Sequence, residues 1–276
     1  MKKTDRIKNS IIFVLLALLT LTFLYPVYYM FINSVKSRPE YFTNPFGIPR
    51  ESLQFLNFET MISQMHLFKL FLNSFIISAV TVVLMLIIGV FASYVFAKLE
   101  FKGKGVIYLA VIMTMFIPIQ VTIIPLYGLF ADAGFVDSYW SVSFSYVSIW
   151  IPEAILLMTA TFRGILHELF ESAEIDGCNY FQKIRHVVLP MGRAAIFLTI
   201  IFYFIMSWND LFTPLIFLQS MDKQTVMVAL AGLMGRYQGS PTLQFAGLLL
   251  GAIPALIIYI LFQKQIIGGL TVGALK

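Results

Sequence analysis

The sequence predicts an all-α, polytopic membrane protein with six transmembrane helices, and three observations carry that prediction. Hydrophobic residues make up 59% of the 276 and charged residues only 12%, about half the charge usual for a chain that folds in water. Six apolar stretches are each long enough for the roughly 20 residues of helix that a bilayer core of about 30 Å requires. Lysine and arginine, finally, fall unequally on the two sides those stretches define. The mean hydropathy of +0.85 and the 27 Phe exclude disordered, coiled-coil and nucleic-acid-binding chains, which need far more polar surface.

In order, residues 1–10 form a basic cytoplasmic N-terminus with Lys2, Lys3, Arg6 and Lys8, and Ile11–Ile32 is the first span. A secretory signal would end in a small-x-small cleavage site. This run instead continues into Tyr25, Pro26, Val27, Tyr28 and Tyr29, which makes it an uncleaved span. After an external loop over 33–69 comes a five-helix core over 70–263, with spans at Leu70–Ala97, Val106–Phe130, Tyr139–Phe162, Ala194–Leu218 and Leu243–Phe262. A tail, 264–276, follows. With the N-terminus inside, thirteen of the 19 basic residues lie on the inner side and six (Lys36, Arg38, Arg50, Lys69, Lys223, Arg236) on the outer. Basic residues are retained on the cytoplasmic side, so both termini are expected in the cytoplasm and the net charge of +5 records topology.

Pro26, Pro118, Pro125, Pro152, Pro214 and Pro254 punctuate the spans, and each removes a backbone donor that its surroundings must make good. Gly247 and Gly251 form a small-xxx-small pair suited to close helix contact. Cys178 is the single cysteine, and His66, His167 and His186 are far apart, so neither a disulfide nor a helical metal pair is expected. No phosphate-binding glycine loop occurs, so the chain is expected to bind no ATP and no other cofactor itself.

The segment 163–193, between the fourth and fifth spans, is built differently. Ile165, Leu166, Leu169, Phe170 and Ala173 recur at the spacing of one helical face, away from Glu168, Glu171 and Glu174. Asp176-Gly177 ends that helix, because glycine takes the left-handed turn at little cost. Asn179 is placed to cap a second helix, with Gln182 reaching back in a capping box. Phe181, Ile184 and Val188 supply its apolar face, and Pro190 marks its end. The acidic first half disfavours an anionic lipid surface, so a rigid elbow that docks on a partner is the stronger reading.

Glu171-Ser172-Ala173-Glu174-Ile175-Asp176-Gly177-Cys178, with Phe181 and the closing Leu189-Pro190, resembles the EAA loop of ABC importer permeases. Ser172 and Cys178 depart from it at positions where the family has alanine. One span before a five-span core, Ser207-Trp208-Asn209-Asp210 in the fifth span, and a glycine-rich end from Gly268 to Lys276 extend the resemblance. The chain is similar to MalG-type permeases of the carbohydrate-uptake subfamily. That resemblance implies a type I importer fold with a MetI-like core, residing in the bacterial inner membrane. Implied partners are two ATP-binding subunits that carry ATP and magnesium, a second, MalF-like permease and an extracytoplasmic sugar-binding protein. The implied coupling contacts are Glu171, Ser172, Ala173, Asp176, Gly177, Phe181 and Pro190. Of the two longer outer segments, the resemblance favours Gln219–Thr242 over Asn33–Lys69 as the one that meets the binding protein.

Three polar residues lie inside predicted spans: Glu153, Asn209 and Asp210. An Asp at a helix centre costs about 2.5–3.5 kcal/mol, and the fourteen Leu, Ile and Phe of the fifth span return about 4–8 kcal/mol on the same scale. The span therefore inserts, and its acid is expected to face the bundle or water. Glu153 and Asp210 also support the runner-up reading, an ion- or proton-coupled carrier. An intramembrane enzyme would need a nucleophile and base or a metal cluster, and the spans supply neither.

Overall fold

The structure is a computed structural model and describes residues 3–236 and 240–274. The described residues contain helices and no strands. The main elements are α1 (Lys3–Ser34), α2 (Leu67–Lys98), α3 (Lys104–Met113), α4 (Ile119–Asp132), α5 (Tyr139–Arg163), α6 (His167–Ile175), α7 (Tyr180–Lys183), α8 (Arg193–Asn209), α9 (Phe212–Phe217), α10 (Val226–Arg236) and α11 (Pro241–Ala274). Among the described residues, four helices are long and apolar enough to cross a membrane singly, and the count reaches six when each of two bent pairs is taken as one span.

The chain divides into two compact units. The first holds Met1–Phe68 and Ala229–Ile253. None of the apolar window of α1 is covered by this chain. Past α1 the chain folds around Lys36, which is fully buried. Its ammonium donates to Asn33 Oδ1 (2.9 Å) and to the carbonyls of Asn44 (2.6 Å) and Gly47 (2.7 Å), and burial lowers its pKa. A charge counted as outer-loop surface is thus an internal tie. Gly247 sits where a Cβ would fall 2.4 Å from Leu230 Cδ2 and 2.9 Å from Met61 Cε, so the small residue does admit close packing.

The second unit holds Lys69–Val228 and Pro254–Lys276. Small hydroxyls join its spans, as expected where lipid gives helices no hydrophobic reason to associate. Ser78 Oγ bonds Ser207 Oγ (3.1 Å), and Ser93 Oγ donates to the Ile155 carbonyl (3.2 Å). A buried cluster of Ile77, Ile123, Phe130, Val142, Tyr146, Phe217 and Leu218 fills the space between α2, α4, α5 and the end of α9.

Two predicted spans are not single helices. Between α3 and α4 the axis turns by 100°. Thr114–Phe116 tightens to a 3-10 turn, and Ile117 (ψ 116°) and Pro118 (ψ 139°) are extended. Proline disfavours helical geometry in the residue before it, and at Ile117 the extended backbone is the one adopted, so the span breaks at Pro118. The fifth span stops as a helix at Asn209, and Asp210 is extended (ψ 131°) before α9 begins. Its bent partner lies on the other side, where Tyr180–Met191 meets α8 at 78°. The tail expected at 264–276 continues α11 as helix to Ala274, while Leu275, Lys276 and, at the other end, Lys2 lie outside the described residues. So do positions 237–239 of the second outer segment.

Candidate functional site: the elbow between α5 and α8

The elbow forms as its residues dictate. Helix α6 closes in a Schellman turn: the Gly177 amide donates to the Glu174 carbonyl (3.0 Å) and the Cys178 amide to the Ala173 carbonyl (2.8 Å). Gly177 has φ +77°, the left-handed region open to glycine at no steric cost. Asn179 and Gln182 then make a complete capping box: Asn179 Oδ1 accepts the Gln182 amide (3.0 Å) and Gln182 Oε1 the Asn179 amide (2.8 Å). One turn later the helix widens over Ile184–Val188, where the Leu189 amide reaches back five residues to the Ile184 carbonyl. Pro190 follows within a short turn, Leu189–Met191, that ends at Gly192. Gly192 is required by packing, since a Cβ there would lie 2.4 Å from Phe162 Cε1 and 2.7 Å from the Val188 carbonyl.

The underside of the elbow is fixed. Ile165, Phe170, Ile184 and Val188 join Val90, Tyr94, Met158, Phe162 and Ala195 in one buried cluster. Lys183, 7% exposed, pairs with Glu174 Oε2 at 3.1 Å and ties the two short helices together. The opposite side is open. Glu168, Glu171, Ser172, Glu174, Asp176 and Gly177 are exposed, as are Tyr180 and Pro190. Ile175 and Phe181 stand 87% and 71% exposed. His167 Nδ1 lies 3.1 Å from Glu171 Oε1. Ile175 thus stands among the carboxylates of Glu171, Glu174 and Asp176 on the exposed side of the elbow.

Two details differ from the sequence reading. Of the apolar face expected on α6, Ile165, Phe170 and Ala173 are buried whereas Leu166 and Leu169 are exposed. Ala173 therefore packs inward, and the surface is carried by its neighbours. Phe181, assigned both to the apolar face of the second helix and to the coupling contacts, is largely exposed, its ring meeting Phe91 at 5.6 Å.

The intramembrane polar residues are each accounted for separately. Asp210 accepts the Phe212 amide (3.1 Å, Oδ1), the Thr213 amide (3.0 Å, Oδ2) and the Tyr146 hydroxyl (2.9 Å, Oδ2). Its carboxylate thus satisfies free amides at the start of α9, where the fifth span breaks. Glu153 is exposed on the chain's own surface, close to the hydroxyl of buried Tyr203. Tyr146, Trp150 and Tyr203 stack in series, with centroids 4.4 and 5.8 Å apart, between the two acids. Asn209 is exposed. The ion-coupled carrier reading gains no support, because Asp210 is committed to backbone amides and a buried phenol.

At the end of α5 away from the elbow, Asp137 fastens the segment that follows α9. Its Oδ1 accepts the Gln219 and Ser220 amides (2.9 Å each), and its Oδ2 accepts the Ser220 hydroxyl and Lys223 Nζ (2.9 Å). Asn73 Nδ2 holds the Asp222 and Gln224 carbonyls (2.9 Å each), and the Tyr139 hydroxyl holds Asn73 (2.7 Å). Burial pushes the Asp137 carboxyl up, but the bonds from Ser220, Lys223 and Gln219 outweigh it and hold the group well below the usual carboxylate range. Sequence reading missed this latch because its partners are more than eighty residues apart; the positive φ of Asp137, +59°, is a shape no pattern announces.

Residues 85–266 match the family of the binding-protein-dependent transport system inner membrane component. Over 98% of this chain and 96% of the relative, the sequence is 29% identical to the arabinooligosaccharides transport system permease protein AraQ of Bacillus subtilis (strain 168). It is 28% identical to the melibiose/raffinose/stachyose import permease protein MelC of the same organism, over 96% of each. The fold is shared with a chain of a bacterial ABC transporter involved in the import of the acidic polysaccharide alginate, with a TM-score of 0.81 at 24% identity over 96% of this chain and 98% of that one. The chain with this elbow and these apolar helices belongs to the family of binding-protein-dependent transport inner-membrane components, the permeases of ABC transporters.

Proposed function

We propose that this chain is one of two permease subunits of a sugar importer, moving mono- or oligosaccharides by alternating access. The work comes from ATP hydrolysis on two separate cytoplasmic subunits that hold the ATP and magnesium. Glu171, Ser172, Asp176, Gly177 and Phe181 form the surface seated in such a subunit, with Ala173 and Pro190 shaping it from within and behind. Both termini lie in the cytoplasm, as the distribution of Lys and Arg requires. An extracytoplasmic binding protein delivers the sugar to the outer segments, among which the one held by Asp137 is already ordered for docking.

The observation that carries this reading is the elbow itself: two short helices locked at a glycine corner, gripped beneath and offering Ile175 and a row of carboxylates. The names of the relatives AraQ and MelC, both oligosaccharide permeases, support sugar as the class of substrate. Deleting the chain and following uptake of a panel of labelled mono- and oligosaccharides tests the reading. Loss of uptake for one sugar class is expected, together with copurification of an ATPase. Undiminished uptake of every sugar, or a chain that purifies alone in gentle detergent, would overturn it.

A further inference from the structure

The elbow is joined by peptide bonds to α5 and α8 alone, yet it is held at least as firmly by α2, whose last residue, Lys98, lies far away in sequence. Lys98 Nζ donates to the Ile165 carbonyl at 2.6 Å and lies 3.4 Å from the Arg163 carbonyl. Arg163 is the last residue of α5, where carbonyls lack helical partners and the helix dipole favours a cation, and Ile165 lies in the short connection from α5 to α6. The same ammonium stands 5.0 Å over the Phe170 ring of α6. One turn earlier Tyr94 stacks on Phe170 (6.1 Å, 30°), and one further turn back Phe91 meets Phe181 of α7 edge-on (5.6 Å, 68°). Three successive turns of α2 thus grip the α5 terminus and both elbow helices.

We propose that Lys98 is a positioning residue that ties the inner end of α2 to the elbow, so that α2 is carried by the same stroke as the two spans joined to the elbow by the chain. The stacked rings resist compression but slide easily, because dispersion contacts are non-directional. Hydrogen bonds from a cation to two fixed carbonyls are directional and resist that sliding. A basic residue here would ordinarily be explained by topology, which asks only for charge on the inner side. It does not explain an ammonium turned back onto a helix terminus. This inference rests on the coupling role proposed above for the elbow.

The test uses the whole importer in proteoliposomes, with the partner permease, both ATP-binding subunits and the binding protein, and reads sugar taken up per ATP hydrolysed. Lys98→Met keeps the stem and removes the donors, Lys98→Arg keeps cation and donors, and Gly177→Pro tests the elbow itself. Lys98→Met is expected to keep binding-protein-stimulated ATPase within about twofold while uptake per ATP falls at least about fivefold, and Lys98→Arg to restore it to within about twofold. Should Lys98→Met assemble poorly, Lys98→Gln, whose amide can still donate to one carbonyl, replaces it, with a loss of at least about twofold expected. Unchanged uptake per ATP in the uncharged variant overturns the proposal, as does failure of Lys98→Arg to rescue. If Gly177→Pro also leaves uptake per ATP unchanged, the coupling role of the elbow fails; if Gly177→Pro uncouples and Lys98→Met does not, only the tie is lost.

Discussion

Gly177 offers a graded test of the elbow, because its surroundings separate backbone strain from bulk. A Cβ built there meets nothing within 4 Å, so Gly177→Ala meets no clash within the chain and its cost is the backbone term alone. A left-handed conformation costs a non-glycine residue about 1–2 kcal/mol, which shifts the balance between an intact and a distorted corner by about 5- to 30-fold. Gly177→Asn should cost less, since Asn visits this region readily. Gly177→Pro cannot form the corner at all: its φ is locked near −65° where +77° is needed, and it loses the 3.0 Å bond to the Glu174 carbonyl. Uptake per ATP in the reconstituted importer should therefore fall in the order Gly, Asn, Ala, Pro, with Pro fully uncoupled at normal membrane abundance. Gly177→Trp adds bulk in open space, so any loss beyond that of Ala measures a partner surface pressed against this corner. An order that follows side-chain size, with Ala above Asn, or a Pro variant that still transports, would refute the reasoning.

Other positions give independent checks. Gly192→Ala drives a Cβ against the buried Phe162 ring and the Val188 carbonyl, an overpacking worth about 1–3 kcal/mol; the purified protein should melt lower, and Phe162→Leu should recover part of the loss. An unchanged melting temperature would contradict that contact. Tyr146→Phe removes one of three donors to Asp210, while Asp210→Ala strands two amides as well. The second should be the more destabilising, by about 1–3 kcal/mol, and the effect of a collapsed proton gradient on uptake should be the same in both as in the unaltered chain. Asp137→Asn suits the left-handed backbone but loses the charge and turns one accepting oxygen into a donor, so the segment 219–225 should become open to protease. Because the folded carboxyl titrates below its ordinary 3.8, its stabilisation is complete above that value and fades only as pH falls through the lower folded one. Protection of this segment should thus be equal at pH 7 and pH 4.5, and loosening between them would contradict the latch.

What the sequence made legible was local. The glycine corner, the Asn179–Gln182 box and the limits of the fourth span depend on residues within a few positions of one another. The structure reproduces them, extending that span only by Arg163. What stayed hidden depends on partners distant in the chain. Hydropathy reads Val106–Phe130 and Ala194–Leu218 as continuous because apolar content is indifferent to whether the backbone is helical. The restriction before Pro118 breaks the first, and the competition of Asp210 for the Phe212 and Thr213 amides, with Pro214 offering no amide to the Asp210 carbonyl, breaks the second. Charge counting assigned Lys36 and Lys98 to the two sides of a topology argument and said nothing of the carbonyls that each one binds. Phe181 illustrates the same limit in reverse, since an amphipathic pattern assigns an aromatic inward unless a neighbour such as Phe91 is known to wait outside.

The most direct measurement places one cysteine at the tip of the elbow. Ile175→Cys in a Cys178→Ser background, expressed with the full importer in membrane vesicles, is treated with a short bifunctional thiol reagent with and without ATP. The account predicts a crosslink to an ATP-binding subunit whose yield changes with nucleotide, and a thiol reached by an impermeant label only from the cytoplasmic face. A thiol labelled from the outer face, or one that joins no ATP-binding subunit in a transporting preparation, would contradict it.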